Sequence, residues 1–202
     1  MNKKFLINIL GSLFIFLISF IIHNLYEIFP NTITAIFSPV NESIFEHMKL
    51  FLTSYTIWLI IKHKIYSYYN IKENNFLIKE VIIMIINIIM FLIIYLPIYY
   101  NFGENLLITL LIYFLTILIS NTINYFVRFK KDYKYLKVIG ITLIILMYIT
   151  TTYFTYNPLK NSFFIDPTNN SYGLNKWVSN KNFNILIYKN IYFCFFHYFY
   201  KS

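Results

Sequence analysis

The chain has 202 residues, enough for one domain, and is 58% hydrophobic and only 12% charged, with a mean hydropathy of +0.59. A soluble domain usually carries about 25% charged residues, so much of this surface must face something other than water. The formal charge of +9 does not indicate nucleic acid, because the basic residues sit in short segments between apolar runs, where membrane topology places them.

Composition excludes two further classes. A single cysteine, Cys194, allows no intramolecular disulfide, and four isolated glycines form no nucleotide-binding loop. The excess of Ile, Asn, Lys, Tyr and Phe, with one Ala, one Arg and no Gln, reads as an AT-rich genome. The 22% aromatic content therefore carries little functional weight.

A membrane helix needs about 20 mainly apolar residues to cross about 30 Å of hydrocarbon. Five stretches meet this: residues 5–23, 44–61, 81–100, 106–127 and 138–156. The expected fold is an all-α, polytopic transmembrane bundle of five spans. The first apolar run outlasts a signal-peptide core and no small-residue cleavage site follows it, so it reads as a retained anchor. A possible sixth span at residues 183–200 is interrupted by Lys189 and Asn190. Residues 1–156 form the bundle in this reading, and residues 157–202 an extracytoplasmic tail.

Orientation follows the basic residues. Lys3 and Lys4 precede the first span. Lys62, Lys64, Lys72 and Lys79 are expected in the loop after the second span, and Arg128, Lys130, Lys131, Lys134 and Lys137 in the loop after the fourth. Segments 24–43 and 101–105 have none. The expectation is a bacterial cytoplasmic membrane, amino terminus inside, with the lipid bilayer as partner and no nucleic acid.

Polar residues within spans should face the bundle interior or a cavity. Asn8, Ser12, Ser19, His23 and Glu27 form one stripe at helical spacing, and Glu42, Glu46, Lys49, Thr53 and Thr56 a second. Thr116, Ser120 and Asn124 form a third, which reads as close packing between helices. Ser38-Pro39-Val40-Asn41-Glu42 reads as a helix start, with Ser38 as cap and Pro39 at the first helical position. That places Glu42, Glu46 and Lys49 on one face and Ser43 and His47 on the next. A short connection makes the first two spans antiparallel neighbours, so His23 and Glu27 should lie at the depth of Glu42 and His47. Asp166-Pro167-Thr168-Asn169-Asn170 is a turn signal on the same side, expected to fold back over this cluster.

Three readings fit the cluster. Lys49 can pair with Glu46 one turn away, giving a structural ion-pair network. Glu42, Glu46 and Lys49 can line the path of a small solute or ion transporter. His23, Glu27, Glu46 and His47 can hold a divalent metal such as zinc, with Glu42 or Glu46 as the catalytic carboxylate of a membrane hydrolase. The spacing matches no established zinc motif. Neither an enzymatic activity nor a cofactor is assigned by the sequence.

Two segments carry a family likeness. Phe37-Ser38-Pro39-Val40-Asn41-Glu42-Ser43 followed by Glu46-His47-Met48-Lys49-Leu50 resembles the signature of a family of uncharacterised small bacterial membrane proteins. Phe164-Ile165-Asp166-Pro167, then Tyr172-Gly173-Leu174, resembles that family's carboxyl-terminal motif. The likeness covers residues 1 to about 174. It implies a multi-pass fold with the outer-face cluster as its shared feature, and no chemistry. His197 and Cys194 lie beyond it.

Overall fold

The computed structural model describes residues 3–174. The possible sixth span, Cys194 and His197 lie outside the described residues. Six helices follow in order: α1 (Lys3–Ile28), α2 (Thr32–Phe37), α3 (Ile44–Tyr68), α4 (Phe76–Phe102), α5 (Leu106–Phe126) and α6 (Lys134–Tyr156). All except α2 are long and apolar enough to cross a membrane. At 1.5 Å per residue, the 26-residue α1 is about 39 Å long, so its ends pass beyond the hydrocarbon.

Helix α3 is central. It carries the longest set of buried residues, whereas α6 buries only Gly140 and Thr155. Around it, α1 packs on α5, α5 on α4, α4 on α6, α6 on α2 and α2 on α1. The ring closes because short α2 fills the gap between α6 and α1 at one end. Phe51, Phe91 and Tyr113 pack with tilted rings at the centre, with ring centroids 4.3 Å apart for Phe51–Tyr113 and 5.0 Å for Phe51–Phe91. The outward faces are apolar: Leu10, Leu13, Leu17 and Ile21 on α1, and Leu107, Leu111 and Leu115 on α5, are exposed. Contiguous exposed apolar surface of this extent is a lipid-facing surface.

Helix ends follow local chemistry. Asn31 caps α2, accepting from the Ile33 and Thr34 N–H groups, while the Thr34 hydroxyl accepts from the Asn31 N–H. The helix stops at Ser38, which is extended because Pro39 follows. The expected helix start at Ser38 is therefore corrected: Ser38 ends α2, and the next helix begins at Ile44. The Asn41 side chain accepts the Ser43 N–H, and Ser43 in turn caps α3 by accepting from the Glu46 N–H at 3.3 Å. This turn keeps residues 39–43 out of the helix. At the other end of the bundle, α3 and α4 run past their apolar stretches, so Lys62 and Lys79 are helical and buried rather than loop residues. Asn75 joins the two connections at that end: its side chain donates to the Lys131 carbonyl and accepts from the Tyr133 N–H, while its own N–H donates to Asp132.

Helices α1 and α3 approach closely at Gly11. A Cβ there would lie 2.4 Å from the Trp58 ring. Gly11→Ala should therefore lower stability by about 1–3 kcal/mol through overpacking. Thermal unfolding in mild detergent checks this, and the loss should shrink when Trp58 is also replaced by Leu. An unshifted midpoint for Gly11→Ala alone would show that the ring moves aside freely.

Candidate functional site

The polar residues at the α2 end of the bundle divide into two groups with different chemistry. The first is closed. Lys49 and Glu46, both essentially without exposure, pair at 2.7 Å. The Lys49 ammonium also donates to the Ala35 carbonyl at 2.7 Å and the Ser38 carbonyl at 3.4 Å. Glu46 accepts from the Val40 N–H at 3.1 Å and the Thr155 hydroxyl at 2.7 Å. Thr53 donates to the Phe37 carbonyl at 2.6 Å. These donors satisfy the carbonyls that a helix end leaves unpaired, and a buried cation suits the negative end of α2. The group ties α2, α3 and α6 together.

The second group is open. His23 near the end of α1 and His47 in the first turn of α3 bring their Nε2 atoms to 3.2 Å. Each Nε2 lies 3.5 Å from the same Glu42 oxygen, and the Glu42 side chain is 43% exposed. His47 Nδ1 sits 2.8 Å from the Ser43 carbonyl. A carbonyl only accepts, so His47 Nδ1 carries a proton, and Nε2 is the nitrogen turned toward His23 and Glu42. Burial alone would raise the Glu42 carboxyl, but the hydrogen bond to His23 and the His47 and His23 charges hold it at about 2. Glu42 is thus an anion at any ordinary pH.

The three ligand atoms have the dimensions of a metal site. A tetrahedral ion with ligands at about 2.0–2.1 Å has edges of about 3.3–3.4 Å. The observed edges are 3.2, 3.5 and 3.5 Å. His23, Glu42 and His47 are the metal-capable cluster among the described residues. The Ser43 carbonyl stands where an outer-shell partner orients a ligating imidazole.

Among the residues singled out from sequence, the structure thus brings His23, His47 and Glu42 together. Glu46 lies instead with Lys49, so Glu42, Glu46 and Lys49 do not share one face. The irregular backbone before Ile44 turns Glu42 toward α1, while Glu46 and Lys49 point to α2. Glu27 is exposed on the last turn of α1. The Asp166 segment does fold back, on the Glu46 side. Asn41 donates to the Gly173 carbonyl at 2.8 Å, the Phe45 N–H donates to the Phe163 carbonyl at 3.1 Å, and Phe45 stacks on Phe164 at 4.4 Å. Gly173 is needed for this contact, since its φ is +62° and a Cβ would lie 2.5 Å from the Thr155 carbonyl oxygen. Asp166 is buried and organises its own turn, accepting from the Thr168 N–H and hydroxyl.

Two features were not assigned from sequence. Glu104, between α4 and α5, is within electrostatic reach of the open group. Burial pushes its carboxyl up, His47 opposes that, and Glu42 and Asp166 reinforce it. Its position in a short loop on the same side was the available signal. The second feature is a buried ion pair at the opposite end, Lys62 with Glu80 at 2.6 Å. Asn8 accepts from Lys62 at 2.7 Å, and Asn124 donates to Glu80 at 2.9 Å. The Asn124 stripe is therefore hydrogen-bonded as well as close-packed. Ser120 likewise bonds Tyr55 at 2.7 Å, and Asn121 donates to Ser12 at 3.0 Å.

Five apolar helices around a core that also buries polar side chains, with a polar cluster at one end, define a multi-pass membrane protein. The chain belongs to the family of unknown function DUF6512, whose model matches residues 1–174. No curated protein and no solved structure matches it.

Proposed function

We propose that this protein binds a divalent cation, zinc by its ligand chemistry, through His23, Glu42 and His47 at the outer face of a cytoplasmic membrane. We further propose that it uses the cation to hydrolyse a substrate at the membrane–water interface. The observation that carries this reading is the triangle of two imidazole nitrogens and one carboxylate oxygen with edges of 3.2–3.5 Å. Three protein ligands leave a tetrahedral ion one open position, the pattern of catalytic rather than structural zinc. A cation there would lower the pKa of a bound water and polarise a carbonyl or phosphoryl oxygen. The outer placement rests on the basic residues, which gather at the other end of the bundle. Transport along Glu42, Glu46 and Lys49 is the weaker reading, because Glu46 and Lys49 already bond each other and their neighbours.

Elemental analysis of the protein purified in mild detergent, after equilibration with zinc and removal of the excess, tests the reading. About one ion per chain is expected for wild type, and none for the His23→Ala, His47→Ala double variant. Glu42→Gln should bind at least tenfold more weakly, whereas Glu27→Gln should bind as wild type does. Helical circular dichroism establishes that each variant is folded. A folded wild type without zinc, or a double variant that keeps it, would overturn the assignment.

A further inference from the structure

The opposite end of the bundle holds a cavity of about 430 Å³, between the start of α1, the connection after α3 and the end of α5. Lys3, Lys4, Lys72 and Arg128 line it, together with Ile71 and Tyr125. Four cations therefore face one small volume. The Lys4 ammonium is fixed by donating to the Lys72 carbonyl at 3.0 Å, and the Lys3 ammonium lies 5.1 Å from the Tyr69 ring centre. The one carboxylate in the lining, Glu73, already pairs with buried Lys79 at 2.5 Å. That pairing takes Oε1 and offsets the charge of Glu73, while Oε2 is buried without a hydrogen-bond partner.

The composition of the lining is specific. Of the 17 basic residues in the chain, the only arginine is Arg128. A guanidinium offers a planar fork of donors that matches phosphate oxygens two at a time, which an ammonium cannot do. Arg128 and Lys72 are exposed, so both can reorient toward a ligand. Exposed apolar side chains continue outward from the cavity mouth, with Leu6, Leu10 and Leu13 on α1 and Phe126 at 70% exposure on α5. A ligand with an anionic head and apolar tails meets both surfaces at once.

We propose that this cavity binds a phosphate-ester anion, supplied by the headgroup of an acidic phospholipid. The cations neutralise the phosphate, Arg128 fixes its orientation, and the acyl chains lie along the outer face of α1. Basic pockets at the cytoplasmic ends of membrane helices are suited to such headgroups. The site is independent of the histidine cluster at the other end of the bundle.

Native mass spectrometry of the full chain in detergent, with phosphatidylglycerol and phosphatidylcholine added in equal amounts, tests the proposal. Wild type should retain phosphatidylglycerol at least tenfold over phosphatidylcholine. The Lys72→Gln, Arg128→Gln variant should lose that preference. The Lys134→Gln, Lys137→Gln variant, which removes the same charge from the same end outside the cavity, should keep it. Arg128→Lys, which conserves charge and loses the fork, should fall between. Equal loss in both double variants would overturn the site, because diffuse charge would then explain the preference. Glycerol 3-phosphate distinguishes the sources. Displacement of the lipid by the soluble ester at equal concentration would assign the cavity to a soluble phosphate ester, and failure to displace would assign it to the membrane headgroup. Absence of binding by either would overturn the proposal.

Discussion

Lys49→Met should destabilise the protein by about 3–5 kcal/mol, because it strands the Glu46 carboxylate in a site with almost no exposure. The same substitution removes the donor to the Ala35 and Ser38 carbonyls. Exchange of a whole buried ion pair for apolar side chains is often neutral or stabilising. That recovery is not expected here. A Glu46→Leu, Lys49→Met double variant would leave the Val40 N–H and the Ala35 and Ser38 carbonyls without partners, and the Thr155 hydroxyl with only its bond to the Thr151 carbonyl. Each orphaned group costs about 1–3 kcal/mol. The double variant should therefore remain at least as unstable as the single one in a thermal or denaturant titration in detergent. Wild-type stability in the double variant would mean that the pair does not hold α2 in place.

Replacing Lys62 by Met should have an effect of similar size, about 3–5 kcal/mol, by leaving the Glu80 carboxylate unpaired between α3, α4 and α5. Asn8 also loses the ammonium it accepts from, which loosens α1. Glu80→Gln should cost less. A glutamine oxygen can still accept from Lys62 and from Asn124, although the Lys62 charge is then uncompensated. The expected order of unfolding midpoints is wild type, Glu80→Gln, Lys62→Met. A Lys62→Met midpoint within about 0.5 kcal/mol of wild type, the range of an ordinary surface change, would show that water reaches Glu80. Neither substitution should alter the zinc binding proposed for His23, Glu42 and His47, which lie at the other end.

The division of the cluster at the α2 end matters for function because closed and open groups answer to different demands. Glu46 and Lys49 have spent their hydrogen-bonding capacity on backbone and on each other. Removing either changes stability first. His23, Glu42 and His47 keep partial exposure, and their two imidazole nitrogens and one carboxylate oxygen face one another at 3.2–3.5 Å. Substitution there should leave the fold intact and change binding. Stability and metal content, measured on the same set of variants, separate the two roles.

What was legible in sequence and what was not has a physical pattern. The five spans were legible because each crossing imposes its own length of apolar residues, a constraint that acts locally. The structure has five such helices, with α3 starting at Ile44 as the apolar run indicates. The Lys49–Glu46 pairing was legible because residues one helical turn apart meet wherever the helix sits. The helix start at Ser38 was misread, since a serine before a proline suits the end of one helix as well as the start of another. The choice was made by the Asn41 and Ser43 turn and by Glu46 drawing in the Val40 N–H.

By itself the sequence determined that the chain is a polytopic membrane protein, where its spans lie, and that its ionisable residues gather at the ends of the bundle. Only the tertiary structure decided which of them meet. Periodicity places a residue on a face of its own helix, but not which helix that face will touch. Glu42 joins the histidines because the backbone before α3 is irregular, and Lys62 finds Glu80 because α3 and α4 both extend past their apolar stretches. Those pairings depend on packing between helices distant in sequence, and the cost of an unpaired charge in a low-dielectric interior selects them.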